Sequence, residues 1–118
     1  MKKIFILLIL SLTVVISAQA QTIEEKIVGE WNMSLMSWDD EILPVGVITF
    51  YEDGEYTINR LDGRSFSSRW WYNYYMDKDF IYLAGSGLYY NEDGENIIIT
   101  PGYSDESAKY YILQKIDE

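Results

Sequence analysis

The sequence predicts an all-β fold, a small antiparallel up-and-down barrel of eight strands with a short helix ahead of the first. Three observations predict it. Short runs of alternating apolar and polar residues recur along the chain after Val28. Tight acidic turns with glycine separate them, as at Asp53-Gly54, Asp62-Gly63 and Asp93-Gly94. The third observation is the loop length that such a turn demands. A two-residue Asp53-Gly54 loop would set Glu52 opposite Glu55 and Phe50 opposite Thr57, dividing the large apolar side chains between two faces. A three-residue loop, Glu52-Asp53-Gly54 with Gly54 left-handed, instead sets Phe50 opposite Tyr56 and Ile48 opposite Ile58. One face of this hairpin is then apolar throughout and has to be buried. Closing eight strands into a barrel buries that face and removes exposed sheet edges. The interior of such a barrel is about wide enough for its own side chains or one small ligand.

The elements follow in order. Thr22 with Glu25 three residues on is a capping box, and Gly29 stops the helix after a turn or two. Glu30 to Ser37 alternates, with Trp31, Met33 and Leu35 on one face. Trp38-Asp39-Asp40-Glu41 reads as a loop, with Pro44 leading into a second strand over Val45 to Tyr51. Glu55 to Arg60 is the third. Leu61-Asp62-Gly63 repeats the three-residue device, pairs Ile58 with Phe66, and keeps Ser68, Trp70, Tyr72 and Tyr74 inward with Arg69, Trp71 and Asn73 outward. The same register opposes Arg60 to Arg64, two like charges that must diverge into solvent or share an anion. A turn at Asp77-Lys78 is expected to align Tyr74 with Ile81 and Tyr72 with Leu83. Ala84-Gly85-Ser86-Gly87 is expected as a flexible turn into Leu88-Tyr89-Tyr90, and Asn91-Glu92-Asp93-Gly94 leads to a strand over Glu95 to Thr100. Its register stays open, because Ile97, Ile98 and Ile99 are apolar on both faces. Pro101 to Ser107 is a loop, and Lys109 to Ile116 is the last strand, with Tyr110 and Ile112 expected inward.

Met1 to Ala20 reads as an export signal: Lys2 and Lys3, an apolar run from Ile4, and Ala18-Gln19-Ala20 in the small-x-small pattern of a cleavage site. The expected organisation is therefore a signal peptide over 1–20 and one domain over 21–118. Cleavage near Ala20 would leave the product in the periplasm or secreted, and not membrane-spanning, because the apolar run is too short to cross a bilayer. Without cysteine the chain has no thiol for lipid attachment at that site and no disulfide, so core and hydrogen-bond ladder must hold the domain. The chain carries a formal charge of −10; losing Lys2 and Lys3 with the leader makes it −12. That charge argues against nucleic acid and anionic membrane as partners.

Gly29-Glu30-Trp31 behind a helical turn resembles the Gly-x-Trp opening of lipocalins and the wider calycin group. Ile48-Thr49-Phe50, Asp53-Gly54-x-Tyr56-x-Ile58, the strand containing Trp70, and Tyr110-x-Ile112 are similar to the short lipocalin-like domains of exported bacterial proteins. The chain departs from full lipocalins in being much shorter and in lacking a cysteine pair. The resemblance implies a tryptophan packed across the closed end of the barrel and an interior suited to a small apolar ligand.

The chain has no histidine and no cysteine, which removes imidazole bases, Ser-His-Asp and Cys-His pairs, and His/Cys zinc sites. Asp39-Asp40-Glu41 and Glu92-Asp93 do not have the spacing of a calcium loop and read as solvated turns. No catalytic residue, cofactor or metal is expected. The ligand-binding candidates are the inward set Trp31, Met33, Phe50, Tyr56, Trp70 and Tyr72, with Arg60 and Arg64 at the mouth. An inward Arg60 would meet the carboxylate of an otherwise apolar or amphipathic molecule. Alternatively these aromatics fill the barrel, and outward rings at Trp71 and Tyr75, with Trp38 in a loop, bind a glycan or a protein partner. Interior volume discriminates: an apolar cavity above about 300 Å³ favours a carrier, and a packed core with an exposed aromatic patch favours an interaction module.

Overall fold

The computed structural model describes residues 22–102 and 108–116; the expected signal segment and most of the loop after Pro101 lie outside the described residues. The chain forms one short helix, α1 (Ile23–Ile27), and eight strands: β1 (Gly29–Met36), β2 (Ile42–Phe50), β3 (Glu55–Arg60), β4 (Ser65–Tyr75), β5 (Lys78–Leu83), β6 (Ser86–Asp93), β7 (Asn96–Pro101) and β8 (Tyr110–Lys115). Each strand pairs antiparallel with the next, and β1 pairs with β8, so the sheet is a closed eight-stranded barrel. Among the described residues no helix is long and apolar enough to cross a membrane.

The acidic glycine turns set the register as the side-chain pattern requires. Phe50 pairs with Tyr56, Ile48 with Ile58, and Ile58 with Phe66. Both three-residue loops are built alike. Gly54 and Gly63 each have φ +89°, and Asp53 and Asp62 each accept a hydrogen bond from the backbone N–H two residues on. At Gly46 (φ +153°) a Cβ would lie 2.1 Å from the carbonyl oxygen of Asn59, so only glycine lets β2 approach β3 this closely. The close approach sits next to an irregularity at Val45, which has no partner on β1.

Four details differ from the sequence reading. β2 begins at Ile42, not Val45; Pro44 sits inside it beside the bulge, where the ladder can spare an N–H. The β4–β5 turn is Met76-Asp77, both at positive φ, so Tyr72 pairs with Ile81 and Tyr74 with Asp79. This moves the pairing by two residues and leaves the inward face unchanged. The β5–β6 turn is Ala84-Gly85 alone, and Ser86 and Gly87 belong to β6. On β8, Tyr111 and Leu113 face the core, and Tyr110 and Ile112 take the other face. Tyr110-Tyr111-Ile112-Leu113 is apolar at every position, so alternation cannot choose; pairing of Leu113 with both Met33 and Ile97 does. The same contacts settle β7, where Ile97 and Ile99 are buried.

The ends of the barrel differ. α1 covers one end, capped by Thr22, whose hydroxyl accepts from the Glu25 N–H at 3.2 Å. Beneath it, the Trp31 indole donates to the Ile27 carbonyl (2.8 Å), and the Trp70 indole donates to the Tyr51 carbonyl (3.0 Å). Phe50 meets Trp70 edge-on with ring centroids 5.5 Å apart. Each tryptophan thus has its polar edge satisfied while its ring fills the core. The other end, ringed by the β1–β2, β3–β4 and β5–β6 turns, is the mouth.

Candidate functional site

Among the described residues, three recesses and one surface compete for the role of a site. Inside the mouth, Met33, Ile58, Leu83, Leu88, Ile99 and Tyr111 enclose an apolar cavity of about 200 Å³, with Ser86 and Pro101 at its edge. Of the eight ligand-binding candidates, Met33 alone lines it. Trp31, Phe50, Tyr56 and Trp70 are buried in the closed half and pack on one another. Tyr72 packs against that core, and its hydroxyl donates to Asp79 at 2.5 Å. This hydrogen bond is the main reason that the Tyr72 hydroxyl titrates high, at about 12, with burial and the Asp79 charge adding to it.

Arg60 ends β3 and Arg64 follows in the β3–β4 turn, both exposed and outside the cavity wall. Arg60 Nε pairs with Asp62 at 3.4 Å, while the other oxygen of the same carboxylate accepts the Arg64 N–H at 2.9 Å. Asp62 thus holds the Arg60 guanidinium by an ion pair and the Arg64 backbone by a hydrogen bond, and neither arginine lines the mouth cavity. At the closed end, a second recess between Trp31, Ile97 and Lys115 is bordered by the Lys26–Glu92 ion pair (3.1 Å), with the Lys115 ammonium 4.8 Å from the Trp31 ring centroid. Its cations already face a carboxylate or an aromatic ring. Asp40 pairs with Lys109 at 3.1 Å, and among the described residues no group of carboxylates converges as a metal site.

The surface is the outer face of β4, β5 and β6. Trp71 lies flat on Tyr82, with centroids 5.1 Å apart and planes within 5°. Phe80 continues the row, 6.3 Å from Tyr82 and 4.8 Å from Tyr89, and the Lys78 ammonium stands 5.1 Å from the Tyr89 ring centroid. Gly87 makes the row possible: a Cβ there would lie 3.0 Å from Tyr82 Cε1, so its absence lets the Tyr82 ring lean over β6. Trp71 rests on Tyr82 in turn and stays 46% exposed. Tyr75 and Met76 are exposed at the end of the same hairpin, and Trp38 is exposed in the β1–β2 loop on the mouth side, with the Lys109 ammonium 6.0 Å from its ring centroid.

The aromatic row ends at the third recess. Pairing between β5 and β6 stops at Phe80 and Tyr89. Beyond that point a cleft of about 370 Å³ opens, with Asp77, Lys78 and Asp79 on one side and Tyr89, Tyr90 and Asn91 on the other, and Thr100 beside them. Carboxylates, an amide, hydroxyls and an ammonium here offer both donors and acceptors.

Sequence reasoning singled out Trp71 but missed Phe80, Tyr82 and Tyr89. The available signal was Lys78-x-Phe80-x-Tyr82 on β5, whose second face is as apolar as its first. Two-sided hydrophobicity in a strand with only one face toward a core marks a second contact surface. No family model matches the chain, and no curated protein matches it.

Proposed function

We propose that this chain is an exported, non-catalytic binding module of short lipocalin-like type, and that it holds its ligand on the outer aromatic face of β4–β6. The single observation that carries this is the stacked Trp71–Tyr82 pair, continued by Phe80 and Tyr89 on the outside of the barrel. One face of Trp71 is covered by Tyr82, and about half of the residue stays in water. A flat, open indole backed by a second ring suits the C–H face of a pyranose. A saccharide is the ligand class that this reading commits to. The closed half of the interior is filled, which supports the outer face over the inside.

The test is a glycan array probed with the mature protein and with Trp71→Ala. Retention of at least one glycan by the wild type, lost in a variant that melts within a few degrees of it, supports the reading. No retained glycan, or equal retention by the variant, overturns it.

A second reading has one observation behind it, the apolar mouth cavity of about 200 Å³. That volume suits a molecule of roughly benzene size, since an apolar cavity of about 150 Å³ takes up benzene, and it is short of what a fatty acid needs. Toluene titration followed through the methyl NMR signals of Leu83, Leu88 and Ile99 checks it; unmoved methyls reject it.

A further inference from the structure

We propose that the cleft between β5 and β6 is a second saccharide subsite, which reads the hydroxyl groups of a neutral sugar unit in the same oligosaccharide that stacks on Trp71. This rests on the reading of the aromatic face above and extends it in two ways: the sugar is neutral, and it is a chain.

Continuity is the first argument. Tyr89 belongs to both features, as the last ring of the aromatic row and as part of the cleft wall. Apolar stacking surface and polar recess therefore form one track on the outside of the barrel. β5 lies between Trp71 on β4 and Tyr89 on β6, a separation of two strand spacings or about 9–10 Å across the sheet, which is more than one pyranose ring spans.

The second argument is the chemistry of the cleft. Vicinal hydroxyls each donate and accept, so their recognition calls for planar acceptors beside donors. Asp77 and Asp79 accept, Lys78 donates, and Asn91 and Thr100 do both. Asp79 is fixed for this role by the hydrogen bond from Tyr72, which leaves its other oxygen lone pairs free to accept. The acidic side chains and the net charge of the protein disfavour a uronic or sulfated sugar in the same place.

The third argument is independent of both. Tyr90 lines the cleft from the core side and is only 5% exposed, and its hydroxyl is the one buried side-chain polar atom among the described residues without a hydrogen bond of good geometry, although the Glu92 and Asp79 carboxylates are near enough to act on it. A buried hydroxyl without a partner is costly, and a small opening of the unpaired β5–β6 wall would let a ligand hydroxyl supply one.

Calorimetric titration with cellohexaose, maltohexaose, mannohexaose and chitohexaose, and with hexagalacturonate as the acidic probe, tests the proposal. One of the neutral chains is expected to bind, its disaccharide at least tenfold more weakly, and hexagalacturonate not at all. Tyr90→Phe and Asn91→Ala are each expected to weaken the bound hexasaccharide several-fold and to flatten the gain from disaccharide to hexasaccharide. Tyr90→Phe should keep the wild-type melting temperature or exceed it, because it removes a hydroxyl that the fold leaves without a hydrogen bond of good geometry. Should Trp71→Ala abolish binding while both cleft variants bind as wild type, the cleft proposal fails and the aromatic-face reading stands. Should none of the neutral chains bind, or hexagalacturonate bind as well as they do, the proposal fails outright.

Discussion

Trp70 and Trp71 are neighbours in one strand and live in opposite surroundings. Trp70 is 7% exposed, with its indole N–H on the Tyr51 carbonyl and its ring against Phe50, in the core that α1 covers. Trp71 is 46% exposed, lies on Tyr82, and has Phe80 and Tyr89 beyond it. Toward the closed end the inner face of β4–β6 is filled by its own side chains, while the outer face carries aromatic rings of which Trp71 is about half in water. Strand parity separates Trp70 from Trp71, but inward parity alone does not bury a ring, since Phe66 and Tyr74 share the face of Trp70 near the strand ends and are 51% and 59% exposed. Trp70 builds the barrel, and Trp71 stays on its outer surface.

The largest expected effect separates the two tryptophans directly. Trp70→Ala should destabilise the fold by about 3–5 kcal/mol, the usual cost of removing a large buried aromatic side chain, as read by denaturant unfolding. Trp71→Ala should cost about 1 kcal/mol or less, the scale of an aromatic pair at a surface, while removing saccharide binding. Equal losses of stability from the two would erase the distinction.

Much of this was legible in the sequence, and the reasons are local. Asp53-Gly54 and Asp62-Gly63 fix loop length and thereby the register of β2, β3 and β4, so the burial of Phe50, Ile48 and Tyr56 could be read from one turn type. Where the turn had two residues at positive φ, as at Met76-Asp77, no glycine announced it, and the pairing of β4 with β5 was misplaced by two. Tyr110 to Leu113 gave no alternation, so its inward face depended on the distant pairing with β1. The site was less legible than the fold. Burial depends on height along the barrel axis, which periodicity does not report. Trp31, Phe50, Tyr56 and Trp70 therefore looked equivalent to Met33, although only Met33 reaches the mouth cavity. The β5–β6 cleft arises where a ladder stops, and no residue type marks such a point.

Alkaline pH sharpens the comparison from the inner side. Tyr72 titrates at about 12 in the folded protein against an ordinary value of 10.0, chiefly through its hydrogen bond to Asp79. A raised folded value means that the native state holds this proton more tightly than the unfolded chain does. The resulting stability is complete below pH 10 and is lost as pH rises toward 12. Melting temperatures across that window should fall less steeply in Tyr72→Phe than in the wild type; parallel curves would remove Tyr72 from the inner network.

The smallest effect probes the outer side. Gly87→Ala leaves a backbone that any residue adopts, so stability should change by about 0.5 kcal/mol or less. The new methyl nevertheless pushes on Tyr82 Cε1 and should disturb the Tyr82–Trp71 stack, lowering the near-ultraviolet circular dichroism of the pair. An unchanged spectrum would mean that the row does not lean on Gly87.

The proposed outer site is tested most directly by a two-dimensional NMR titration of residues 21–118 with the neutral hexasaccharides, following the indole N–H signals. The Trp71 signal is expected to shift while those of Trp31 and Trp70, held on the carbonyls of Ile27 and Tyr51, stay in place. Shifts at Trp31 and Trp70 with Trp71 unmoved would put the ligand inside the barrel and contradict the outer site.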